Sequence, residues 1–171
     1  YFDLNSNPVI SFLLSSANFY LSRYHFDGLR FDAVSHLIYH EGNRDKGENK
    51  EGLSFIKRMN YHLKRLHPSA LLIAEDSTDF PYVTKKIEWG GLGYDYKWDL
   101  GWMNDTLRYY KMDHEYRKYH HNLINFSMAY FYNEKFILPL SHDEVVHSKG
   151  TIIDKMFGTY EEKFANLRAF Y

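Results

Sequence analysis

Cysteine is absent from the 171 residues, which excludes disulfides and thiolate chemistry and fits a reducing cytosol. No apolar run is long enough to span a bilayer, and no signal-peptide pattern opens the chain. A cytoplasmic location without a membrane partner is therefore expected. Charge of one sign is also lacking: 21 Lys and Arg balance 22 Asp and Glu for a net −1, with no basic run. Nothing in that balance points to a nucleic acid partner. Aromatic residues, by contrast, are abundant at 19%, including 16 Tyr, a composition that suits stacking on sugar rings as well as filling cores. The length suffices for one domain with a sizeable core. The chain opens at Tyr1 without Met and stops at Tyr171 inside an amphipathic pattern, so it is expected to be a piece of a longer polypeptide.

Asn7-Pro8 is a helix start, with Asn as N-cap and Pro in the first helical position. Val9, Phe12, Leu13, Ser16, Phe19 and Tyr20 continue at helical spacing to about Tyr24. The turn Asp27-Gly28 then leads into Leu29-Arg30-Phe31-Asp32-Ala33-Val34, a strand pattern with two charges. Arg30 and Asp32 are two residues apart, so on a strand they face the same side. Buried charges are costly unless paired or used. A structural ion pair and a functional one are both open at this point.

His40 to Lys50 is polar and reads as a surface loop. A second amphipathic helix places Leu53, Ile56, Met59, Leu63 and Leu66 on one face and ends at His67-Pro68. Ala70 to Ala74 is a continuous apolar run, the pattern of a strand buried on both faces, and it stops at Glu75-Asp76-Ser77-Thr78. Tyr94 to Trp98 is a third strand candidate, and Met103 to Tyr130 is largely helical in pattern. Phe136 to Leu140 is a fourth strand candidate, although Pro139 weakens it. Ser141-His142-Asp143-Glu144 follows, and Gly158-Thr159-Tyr160 leads into a final helix. Strands alternating with helices and ending in ionisable residues predict an α/β fold with a parallel sheet, whose ligands gather at the carboxyl ends of the strands.

Asp32, Glu75 and His142-Asp143 would then converge on one rim. Two carboxylates facing a cleft, one ionised and one protonated, are what glycoside chemistry requires. A separation of about 5–5.5 Å would make such a reaction retaining. Arg30 beside Asp32 favours the ionised form that a nucleophile needs. A zinc site does not fit. His142 and His147 are five residues apart, roughly 140° around a helix, whereas zincins need an i, i+4 pair. No metal or cofactor is expected. His114, His120 and His121 lie on a polar stretch and read as surface residues, and the Asn104 and Asn125 glycosylation patterns read as chance.

Asp27 to Val34, Ala74 to Thr78 and Leu140 to Glu144 resemble three of the four signature regions of the α-amylase superfamily. Gly90-Gly91-Leu92-Gly93, Tyr96 to Met103 and Leu138 to His147 resemble, more narrowly, the bacterial 1,4-α-glucan (glycogen) branching enzymes. The resemblance covers essentially the whole chain. It implies a partial (β/α)8 barrel, about strands four to seven with their helices. By position, it implies Asp32 as nucleophile, Glu75 as general acid/base and Arg30 as the cation that orients Asp32. His142 and Asp143 would bind sugar hydroxyls, with Asp143 helping to stabilise the oxocarbenium-like transition state. The implied reaction cleaves an α-1,4-glucan and transfers the released chain to a 6-hydroxyl, making an α-1,6 branch. Phe31, Ser35-His36 and Ser148 depart from the usual pattern without removing a catalytic group. The resemblance also implies a first signature region, with its Asp and His, which is expected before Tyr1. A hydrolysing or debranching relative and a non-catalytic glucan-binding domain are the alternatives, and the latter has no need of both carboxylates.

A whole barrel takes about 250 residues, so the chain by itself is expected to self-associate through exposed sheet edges, or to cover those edges with rearranged helices, and to have little or no activity because part of the sugar-binding subsite is absent. Multimers on size-exclusion chromatography and an unchanged iodine–amylose colour are the expected results for the isolated chain. A compact monomer with no exposed apolar surface would contradict the first expectation, and robust branching of amylose the second.

Overall fold

A computed structural model describes residues 2–146 and 148–171. They fall into two units, residues 1–98 with 133–137 and residues 99–132 with 138–171, each described by itself below.

The first unit holds a four-stranded, fully parallel sheet. Its strands are β1 (Gly28–Phe31), β2 (Leu71–Ala74), β3 (Tyr96–Trp98) and β4 (Phe136–Ile137), in spatial order β1-β2-β3-β4. Helices α1 (Asn7–Arg23), α2 (Ser35–Ile38) and α3 (Lys50–Leu66) connect and cover it. Ser6 rather than Asn7 occupies the α1 N-cap, which puts Pro8 inside the first turn, where its missing N–H has no helical partner to lose. The buried side of α1 differs from the predicted one. Ala17 and Leu21 are buried, with Ile10, Leu13 and Leu14 packed beside them, whereas Phe12, Phe19 and Tyr20 are 63%, 48% and 44% exposed. The exposed aromatic residues beside the stripe mimic a core face in the sequence.

In α3 the predicted face holds at Ile56, Met59 and Leu63, while Leu66 is exposed. Asn49 caps the helix by accepting from Gly52 N at 2.9 Å, and buried Asn60 donates to the Leu92 carbonyl at 2.9 Å. These residues meet Val34, Ile38, Leu72, Ala74, Val83 and Tyr94 in one core. Burial of a Leu or Ile there contributes about 1.5–3 kcal/mol. β2 buries Leu72 and Ala74 but leaves Leu71 exposed, so one face is fully covered rather than both. The polar stretch after α2 forms two short 3-10 turns, His40–Gly42 and Arg44–Lys46.

In the second unit, α4 (Leu100–Lys111) is capped by Asp99, which accepts from Trp102 N at 2.8 Å and from the Tyr130 hydroxyl at 2.9 Å. The predicted long helix ends there because Met112 is extended and Asp113 caps a new turn. Short α5 (His114–Arg117), α6 (Asn122–Asn125) and a 3-10 turn replace its remainder. The last helix, α7 (Tyr160–Phe170), begins in a capping box between Thr159 and Glu162. Met103, Leu107 and Met156 form the small core of this unit.

Gly52 fixes the approach of α3 to α2. A Cβ at this position would lie 1.9 Å from the Leu37 carbonyl oxygen. Alanine normally gains about 1 kcal/mol over glycine inside a helix. Gly52→Ala is expected instead to destabilise by about 1–3 kcal/mol, read as a lower urea midpoint. A raised midpoint would contradict this packing.

Candidate active site

β1 and β2 pair in parallel with Arg30 opposite Ile73 and Phe31 opposite Ala74. The next residue on each strand is therefore Asp32 and Glu75, side by side beyond the carboxyl ends. The backbone locks this register: Glu75 N donates to the Phe31 carbonyl at 2.9 Å, and Val34 N donates to the Glu75 carbonyl at 2.8 Å. Between them the chain turns through Ala33, whose φ of 45° lies in the left-handed region, uncommon for a residue with a Cβ. That turn aims the Ala33 N–H at Glu75 Oε2, 3.2 Å away.

The Arg30 guanidinium binds both carboxylates. Its Nη1 donates to Asp32 Oδ1 and, at 2.8 Å, to Glu75 Oε2. The guanidinium carbon stands 4.7 Å from the centroid of the Trp98 ring, so the cation also rests on an aromatic face. The three side chains sit in different environments: Arg30 is 26% exposed, Glu75 13% and Asp32 76%. The expectation of two buried charges on one strand face is thus corrected. Arg30 is half-buried in the strand, and Asp32 lies just past its end, open to solvent.

Burial is the main cause that raises the Glu75 pKa above its ordinary value, reinforced by the hydrogen bond and charge of Asp32. The Ala33 N–H and Arg30 oppose the shift without cancelling it. Two adjacent carboxyls in unlike environments can divide the roles of proton donor and nucleophile. Glycoside cleavage is one chemistry that uses such a pair.

His142 and Asp143 lie in the second unit, in a 3-10 turn capped by Ser141. There His142 Nε2 is 3.2 Å from Asp143 Oδ1, and both side chains are exposed. His147, half of the zinc pattern considered above, lies outside the described residues. Among the described residues, no cluster of three or more His, Asp and Glu could hold a metal ion, and no helix is long and apolar enough to cross a membrane. Sequence reasoning passed over Asp76, Lys97 and Trp98. The available signal was a lone lysine within an aromatic strand segment, Tyr96-Lys97-Trp98.

No family model matches the chain. It is similar, however, to proteins named 1,4-alpha-glucan branching enzyme GlgB. The one from Halothermothrix orenii is 51% identical over 180 residues, covering 99% of this chain and 29% of the relative. Those from Clostridium perfringens and Francisella tularensis are 50% and 49% identical over 179 residues, again covering 99% of the chain. The chain spans 27–29% of the length of these curated relatives.

The raised Glu75 pKa has a signed consequence for stability. Its folded value exceeds the unfolded one, so the group's stabilising contribution is fully present below the unfolded pKa and is lost as pH rises through the folded value. Glu75→Gln removes that dependence. Wild-type stability relative to Glu75→Gln is expected to fall from acidic to neutral pH in parallel thermal melts. A difference that is flat, or that grows with pH, would contradict the assignment.

Proposed function

We propose, for a chain homologous over nearly its whole length to part of the 1,4-α-glucan branching enzymes, that it carries the carboxylate pair of a retaining glucan branching reaction. On this reading the segment supplies about strands four to seven of a (β/α)8 barrel. The parallel order β1-β2-β3-β4 with intervening helices supports that placement. The observation that carries the functional reading is the Arg30 guanidinium shared by Asp32 and Glu75 at the carboxyl ends of adjacent parallel strands.

In the first step, an Asp32 carboxylate oxygen attacks the anomeric carbon of an α-1,4 linkage. Glu75 gives its proton to the departing glycosidic oxygen, and a glycosyl-Asp32 ester forms. In the second step, the 6-hydroxyl of an acceptor glucan attacks the same carbon and passes its proton to Glu75. Asp32 leaves as carboxylate, and an α-1,6 branch results. Burial of Glu75 favours the protonated form that the first step needs, while exposure of Asp32 and its pairing with Arg30 favour the anion. His142 and Asp143 contribute contacts to sugar hydroxyls, and Asp143 adds negative charge for the oxocarbenium-like transition state. No cofactor or metal takes part. The substrate is an α-1,4-glucan in the cytoplasm, and the isolated segment is inactive and self-associating.

The full-length polypeptide is expected to convert amylose to a product with new α-1,6 linkages and without accumulating reducing ends. Asp32→Asn is expected to abolish that conversion. Accumulating reducing ends would identify a hydrolase instead, and normal turnover of Asp32→Asn would remove the nucleophile role.

A further inference from the structure

We infer that Asp76 and Lys97 form a clamp that positions Glu75; this rests on the acid/base reading of Glu75 given above. Asp76 is the residue immediately after Glu75, and its side chain is fully buried, as is nearly all of the Lys97 side chain, at 0% and 6% exposure. Lys97 lies on β3 opposite Ala74 of β2, the residue immediately before Glu75. The ion pair therefore ties the chain just past Glu75 to the neighbouring strand at the level where β2 ends.

Both members of the pair make further hydrogen bonds. Lys97 Nζ donates to Asp76 Oδ2 at 2.8 Å and to the Thr78 carbonyl at 2.6 Å. Thr78 N donates to Asp76 Oδ1 at 3.1 Å, and the Thr78 hydroxyl donates to Asp76 Oδ2 at 3.0 Å. The segment 76–78 is thus closed around one ammonium. On its other side, the Glu75 backbone is held by Phe31 and Val34.

Stability alone does not account for this pair. Desolvating two charges offsets much of their attraction, and apolar residues of similar volume are often as stabilising. What the pair does supply is directional, bonded support, which an apolar contact lacks. A catalytic carboxyl must be held to within about 0.5 Å of its productive place, and a misplacement of about 1 Å can cost about a hundredfold in rate. Successive residues of extended chain face opposite sides. With Asp76 anchored in the interior, Glu75 faces Arg30. Asp76 and Lys97 are positioning residues that act through Glu75 and touch no substrate.

Lys97→Met in the full-length polypeptide tests this with two substrates. Glucan cleavage needs the proton of Glu75, whereas a maltosyl fluoride can form the glycosyl-enzyme without it because fluoride leaves unassisted. Turnover of amylose is expected to fall about tenfold or more, with KM within about threefold and the fluoride burst also within about threefold. Lys97→Arg, which keeps the charge, is expected to recover most of the turnover. Should Lys97→Met fail to fold, the double variant Asp76→Asn/Lys97→Met, which removes both charges, carries the same comparison. Unchanged amylose turnover would overturn the inference. So would turnover and burst falling in parallel, since that marks general structural support. Glu75→Gln in the same assays separates the two readings. If it shows the split and Lys97→Met does not, the clamp fails; if it keeps normal turnover, the Glu75 assignment fails and the clamp's role falls with it.

Discussion

Arg30 meets Asp32 and Glu75 with one terminal nitrogen, and that geometry exists only if β1 and β2 run parallel in a single register. A shift of one residue would turn Glu75 to the opposite side of the sheet and leave Arg30 with one partner. Much of the surrounding structure can be understood as holding that register. Leu72 and Ala74 are buried on β2, and α3 packs Phe55, Ile56, Met59 and Leu63 into the same core. The backbone bonds of Glu75 to Phe31 and Val34 close the end of the strand pair.

Charge is distributed unevenly over this frame. Asp32 is open to water and Glu75 is mostly shielded, so the two carboxyls share a cation while differing in solvation. That difference in solvation, added to the shared cation, is the kind of asymmetry that can divide two carboxyls into a proton donor and an anion. Ala33 turns through a left-handed conformation so that its N–H faces Glu75. Backbone held in a sparsely populated region by surrounding bonds is a recurrent feature of functional sites. Trp98 beneath the guanidinium limits the orientations open to Arg30.

The order of helices and strands was legible from periodicity, Pro8, Pro68 and the apolar run 70–74. Their parallel pairing brought Asp32 and Glu75 together as expected. The solvation of these residues was not legible. A strand pattern that includes Asp32 implies burial, yet β1 ends at Phe31 and Asp32 begins an exposed turn. The stripe of α1 was obscured because Phe12, Phe19 and Tyr20 mimic a core face while Ala17 and Leu21 provide it. The break after α4 depends on Asp113 capping a new turn, a local choice that a continuous polar pattern does not reveal. Asp76 and Lys97 are 21 residues apart and meet through the β2–β3 register, so the lone lysine in its aromatic segment does not announce its partner.

On the proposed reading, Asp32 attacks the sugar carbon while Glu75, under the same cation, does not. Trapping the full-length polypeptide with a slow-turnover fluorinated glucosyl fluoride, followed by proteolysis and mass spectrometry, tests it most directly. The glycosyl group is predicted on the peptide containing Asp32, with fragmentation assigning it to that carboxyl. A glycosyl group on Glu75, or a trapped protein without a label in the 27–34 segment, would contradict the account.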